Sequence, residues 1–81
     1  MKKRERDLHL ARIVLAELLA GPLRRRDLEK RTLIKCGARA TFDSIFTFLK
    51  AQGYIAKVSE VYTAPYQITE KGKRFLEALS S

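Results

Sequence analysis

The chain has 81 residues, and its 17 Lys and Arg against 9 Asp and Glu leave a formal net charge of +8. At roughly 100–200 residues per domain this is one small domain, and a chain so short buries only about 60% of its unfolded surface, which argues against a self-contained enzyme with a deep pocket. A hydrophobic content of 46% excludes intrinsic disorder, and no apolar run approaches the ~20 residues needed to span a bilayer.

The basic start (Lys2, Lys3, Arg4) leads directly into Glu5, Arg6 and Asp7, so no signal peptide is readable and a cytoplasmic, nucleoid-associated location is expected. Residues 5–20 are predicted as a first helix, in which Leu8, Ala11, Leu15, Leu18 and Leu19 recur at three- and four-residue spacing as one apolar stripe. Leu10, Ile13, Val14 and Ala20 fall off that stripe. A helix that is apolar on two sides needs a second thing to pack against, either the rest of the domain or a second subunit. Gly21-Pro22 ends the helix with a turn and a residue that cannot continue it. Leu23 suits a very short strand. Residues 24–31 are predicted as a second helix with Leu28 inward, and residues 32–37 as a connection in which Gly37 supplies backbone freedom. A third helix over residues 38–52 carries Phe42, Ile45, Phe46 and Leu49 on one face, with Gly53 just past its end.

Residues 54–58 suit a strand and residues 66–68 its partner, with 59–65 as the loop and Pro65 tolerated at the strand start. Thr69 is a good N-cap for a last helix over residues 70–79, where Glu70 favours the first turn and Phe75, Leu76 and Leu79 are buried. Gly72 weakens that helix, so close packing against a neighbour is expected there.

Helix, short strand, helix, turn, helix, two-stranded hairpin and last helix is the plan of a winged helix-turn-helix domain, α+β and mainly α. Two stretches resemble signatures of that family. Phe42-Asp43-Ser44-Ile45-Phe46-Thr47-Phe48-Leu49-Lys50-Ala51-Gln52-Gly53-Tyr54-Ile55 is similar to the recognition-helix segment ending in L-x-x-x-G-[LY]-I. Tyr66-Gln67-Ile68-Thr69-Glu70-Lys71-Gly72 is similar to the Y-x-[LI]-T-x-x-G lead-in to the final helix. Both occur in MarR- and PadR-like regulators and in the small winged-helix regulators of archaea, their viruses and plasmids. The resemblance covers about residues 8–79. The chain departs from compact MarR-type domains by about three extra residues between Leu28 and Phe42, which is more like the archaeal group. Its wing, residues 59–64, carries no Lys or Arg, so Lys57 at its base is the only cation there.

The resemblance implies a homodimer binding double-stranded DNA with the third helix in the major groove. An α-helix fits that groove and presents its outward side chains to base edges. With the apolar face inward, Arg39, Ala40, Asp43, Ser44 and Thr47 face outward. Arg39 suits a bidentate contact to guanine, Asp43 can accept from cytosine or serve as an N-terminal helix charge, and Ala40 can touch a thymine methyl. Thr41, near the helix start, suits phosphate or base. Arg24, Arg25, Arg26 and Lys35, within a stretch of seven basic and two acidic residues (22–39), suit phosphates, which position but do not specify. Lys57 and Tyr62 are the wing candidates. Phe48 sits beside the buried stripe, where packing against the first helix or the wing is expected. With Leu10, Ile13 and Val14 it is also the candidate dimer interface.

Cys36 is the single cysteine, which excludes an intrachain disulfide or a zinc site built on cysteine pairs. It reads as a small apolar residue or as one half of an intersubunit disulfide. His9 has no surrounding ligand pattern, the four glycines are scattered singly, and no nucleophile, base and orienter set is visible. Neither enzyme activity, metal, cofactor, small-molecule ligand nor membrane is therefore expected. The expected function is a sequence-specific transcription regulator, a repressor. Its rivals are an architectural DNA-coating protein and a winged-helix protein-interaction module, because fold does not fix function.

Overall fold

A computed structural model describes the backbone of residues 3–80 and side-chain surroundings from Glu5 to Ser80; Lys2 and the side chains of Lys3 and Arg4, part of the basic start, lie outside the described residues. The elements run α1 (Lys3–Leu19), α2 (Arg25–Cys36), α3 (Arg39–Ala51), β1 (Ile55–Lys57), β2 (Tyr66–Ile68) and α4 (Glu70–Ser80).

Helix α1 is the hub, packing against α2, α3, α4 and β2. It buries Leu10, Ala11, Val14, Leu15 and Leu18, which share one helical face. The buried stripe is therefore rotated from the one expected. Leu8 and Leu19 are exposed, whereas Leu10 and Val14 (0% exposed), expected at a subunit contact, lie inside the chain's own core. The neighbours that converge on α1 cover the side of Leu10 and Val14 with the chain's own core and leave Leu8 and Leu19 to solvent. Ile13 sits at the margin, packed against the same core.

Helix α2 is longer than expected: residues 32–36, read as a connection, are helical. Thr32 is fully buried, and its hydroxyl donates to the Leu28 carbonyl one turn back at 2.8 Å. This satisfies a hydroxyl that would otherwise be buried without a partner. The helix stops at Gly37, whose φ of 84° is left-handed and whose N–H donates to the Leu33 carbonyl at 2.8 Å. Cys36 is buried in the core, so the apolar reading holds and no exposed sulfur is offered to a second subunit.

Helix α3 buries Phe42, Ile45, Phe46 and Leu49 as expected. Its end is closed by paired backbone bonds, Gly53 N–H to Lys50 at 3.1 Å and Tyr54 N–H to Leu49 at 2.9 Å, with Gly53 at φ 77°. The wing is an antiparallel pair in which Ile55 faces Ile68, Ala56 faces Gln67 and Lys57 faces Tyr66. Leu23 joins it through a bridge to Tyr66, with reciprocal N–H to carbonyl bonds of 3.0 and 2.8 Å.

Helix α4 begins at a two-way hydroxyl. Thr69 Oγ1 accepts from the Gly72 N–H at 3.0 Å and donates to the Gly53 carbonyl at 2.7 Å. Lys71 Nζ donates to the neighbouring Gln52 carbonyl at 2.8 Å. Gly72 makes the expected close approach: a Cβ there would overlap the Tyr54 carbonyl oxygen and reach Ile68 Cγ1 at 2.8 Å. Three core helices, a two-stranded wing and a C-terminal helix make this a winged helix-turn-helix architecture.

Candidate nucleic-acid interface

Burying one face of α3 leaves the opposite face to solvent. Ala40, Ser44 and Thr47 are exposed along it, Arg39 is exposed at its start, and Thr41 and Asp43 are half-buried at its margins. The helix starts at Ala38, in extended conformation with no side-chain cap. Its first N–H groups thus lack a side-chain acceptor at the partially positive end of the helix.

One flank of α3 is cationic. Arg25 of α2 reaches across to pair with Asp43 and lies over the Phe46 ring, 5.2 Å from its centroid. Phe46 meets Tyr66 edge to face at 4.8 Å. Lys50 and Lys57 hold their ammonium groups 5.8 and 5.9 Å from the Tyr66 centroid. Three cations thus gather over two touching rings, whose electron-rich faces attract positive charge. At the head of this flank, Arg39 Nε lies 3.2 Å from Glu29 Oε1. Arg39, Asp43 and Lys50, at helical spacing, share the side of α3 that faces α2 and the wing.

The other flank is aromatic. Phe48 leans on Tyr54 and Phe75, with ring centroids 6.1 and 6.4 Å away, while Tyr54 and Phe75 stack at 4.2 Å. Its neighbours are therefore α4 and Tyr54, instead of the first helix or the wing expected from sequence. It remains 40% exposed.

The other candidates are more scattered. Arg24 and Arg26 are exposed at the start of α2 and Lys35 at its last turn. Lys57 is turned back on the wing, donating to the Tyr62 carbonyl at 3.2 Å with its ammonium 5.4 Å from the Tyr62 ring centroid. Tyr62 is 90% exposed, beside exposed Val58 and Val61. Asp43, expected as a base reader, is engaged by Arg25. Two residues were missed by sequence reasoning. Lys50 was legible, since it lies on the same helical side as Asp43. Glu29 was not, because its nearness to Arg39 depends on the true length of α2.

Among the described residues no three of His, Cys, Asp and Glu gather as metal ligands, and no helix is long and apolar enough to cross a membrane. No protein-family model, curated protein or solved structure matches the chain.

Proposed function

We propose that this protein is a sequence-specific double-stranded-DNA-binding transcription regulator, a repressor, acting as a homodimer with α3 in the major groove. The observation that carries the reading is the exposed face of α3, bordered by Arg25, Arg39, Lys50 and Lys57 on a winged helix-turn-helix scaffold. Small outward side chains (Ala40, Ser44, Thr47) let the helix backbone approach base edges closely, and the flanking cations meet phosphates. Arg24, Arg26 and Lys35 extend the phosphate contacts. Regulators of the MarR, PadR and small archaeal or viral types, which the recognition-helix and final-helix motifs resemble, are the relatives this reading favours. Occupying an operator suffices for repression, and the reading assigns the chain binding in place of catalysis.

A two-fold dimer reads half-sites about 34–36 Å apart, or a multiple of that. Leu10 and Val14 take no part in the pairing, since the chain buries them itself. Ile13 and Phe48 stay candidates.

Selection of bound duplexes from a random DNA pool at about 150 mM salt tests the reading. Enrichment of an inverted repeat supports it. Saturating binding without enrichment favours an architectural protein. No binding refutes both and favours a protein-interaction module, a reading that the exposed Val58, Val61 and Tyr62 on a wing with no cation beyond Lys57 also supports.

A further inference from the structure

We propose that Glu29, an acidic residue on a surface otherwise built for an anion, determines sequence preference by positioning Arg39 for guanine. This rests on the DNA-reading function above and adds to it the residue that aims the reader.

Guanidinium offers its N–H donors as a rigid planar fork with two edges that can make paired bonds, the terminal Nη1/Nη2 edge and the side Nε/Nη2 edge. Guanine recognition needs one such edge aimed at O6 and N7 together. An arginine free on an exposed helix face samples many rotamers and either edge. Here Glu29 Oε1 forms an ion pair with Arg39, 3.2 Å from Nε, so its charge draws the Nε side of the fork toward α2 and leaves the terminal edge for a ligand. The two side chains differ in burial as this role requires: Glu29 is 18% exposed and Arg39 76%. The carboxylate stands on a fixed platform, because its neighbour Leu28 is fully buried and Thr32 is locked into the same helix. The arginine is held near its root while its tip meets solvent.

Arg25 shows the contrasting geometry. Asp43 engages its Nη2, the nitrogen common to both edges, and the Phe46 ring lies against the guanidinium. That arrangement suits a phosphate contact, and it separates Arg39 from Arg25 in role. Folding stability does not account for Glu29, because exposed ion pairs contribute little to it. General DNA affinity does not either, because a carboxylate here repels phosphates. Glu29 therefore acts in opposite directions on affinity and on specificity, which a merely structural or merely electrostatic residue does not.

The test compares the wild type with Arg39→Ala, Glu29→Ala and Glu29→Gln on the selected operator, on operators with each guanine replaced, and on random duplex, at about 150 mM salt. Arg39→Ala is expected to lower guanine preference at one position in each half-site about fivefold or more, the low end for a paired base contact. Glu29→Ala lowers the preference at that same position about threefold or more, leaves other positions unchanged, and holds or raises random-duplex affinity. Glu29→Gln, which keeps the shape but removes the charge of the ion pair, raises random-duplex affinity and lowers the guanine preference at that position as Glu29→Ala does. Thermal midpoints stay with the wild type. The proposal is overturned if Glu29→Ala leaves the preference intact, weakens all positions equally, or acts only by unfolding the chain. A wild type that selects no sequence refutes the DNA-reading function and the proposal with it. A wild type that selects an operator insensitive to Arg39→Ala leaves the function standing and refutes the proposal alone.

Discussion

Gly72→Ala sets two known effects against each other. In an exposed helix interior, alanine is more favourable than glycine by about 0.8–1.0 kcal/mol. At this position the added methyl would overlap the Tyr54 carbonyl oxygen, come within 3.0 Å of the Tyr54 carbonyl carbon and reach Ile68 Cγ1 at 2.8 Å. The obstacle is mostly backbone, so the start of α4 must move away from the end of α3. Overpacking of this kind costs about 1–3 kcal/mol. The movement also stretches the Thr69 N–H bond to the Tyr54 carbonyl at 3.0 Å and the Thr69 hydroxyl bond to Gly53 at 2.7 Å. Each such bond contributes about 1 kcal/mol. Propensity offsets only the smaller part, and a net loss of about 2 kcal/mol is expected. For a domain of this size that lowers the thermal midpoint by about 8–16 °C. Circular dichroism melts and urea titrations measure it. A midpoint equal to or above the wild type would show that propensity wins and that the contact between Gly72 and Tyr54 does not constrain the fold.

Thr69→Ala removes both the N-cap and the link to Gly53, and urea unfolding should show a loss of about 1–2 kcal/mol; a change under about 0.5 kcal/mol contradicts the two-way hydroxyl. Burial pushes the Cys36 thiol up, with the Thr32 hydroxyl pulling the other way. Stability drawn from the neutral thiol is thus complete below the ordinary thiol range and is lost as pH rises through the raised folded value. Between roughly pH 8 and 10 the wild type should lose more stability than Cys36→Ala, and native Cys36 should react with a thiol reagent only as fast as the chain opens. Asp43→Asn frees Arg25 from an exposed pair, so the melt should barely move. Duplex affinity should rise, with log K against log salt steeper by about one unit. A selective loss of preference for cytosine would instead restore Asp43 as a base reader.

Much of the fold was legible because its signals are local. Gly53 after the α3 stripe, Thr69 before α4, and Tyr66 to Ile68 as a short strand each depend on a few neighbouring residues, and the structure has them there. The bridge at Leu23 was legible for the same reason. What failed depends on tertiary partners. The α1 stripe was assigned by spacing alone, yet which of two apolar sides faces the core is set by the elements that surround it. The α2 end was placed too early because buried Thr32 finds its acceptor within its own helix. At the candidate interface, the outward face of α3 followed from periodicity. The pairings of Arg25 with Asp43 and Arg39 with Glu29 did not, since each joins residues on different helices.

The attachments between α3 and α4 bear on where the chain can be shortened. Thr69 and Lys71 supply donors to the carbonyls of Gly53 and Gln52, just beyond α3, while Leu76 closes the core from the far side. A fragment stopping after the wing at residue 68 would keep every side chain on the outward face of α3. It would also leave the two carbonyls after α3 without these donors and expose part of α1. Such a fragment should therefore lose its native melt while still holding every residue of that face. The smallest excised unit that works has to run through α4, and a fusion partner belongs after that helix, not in place of it.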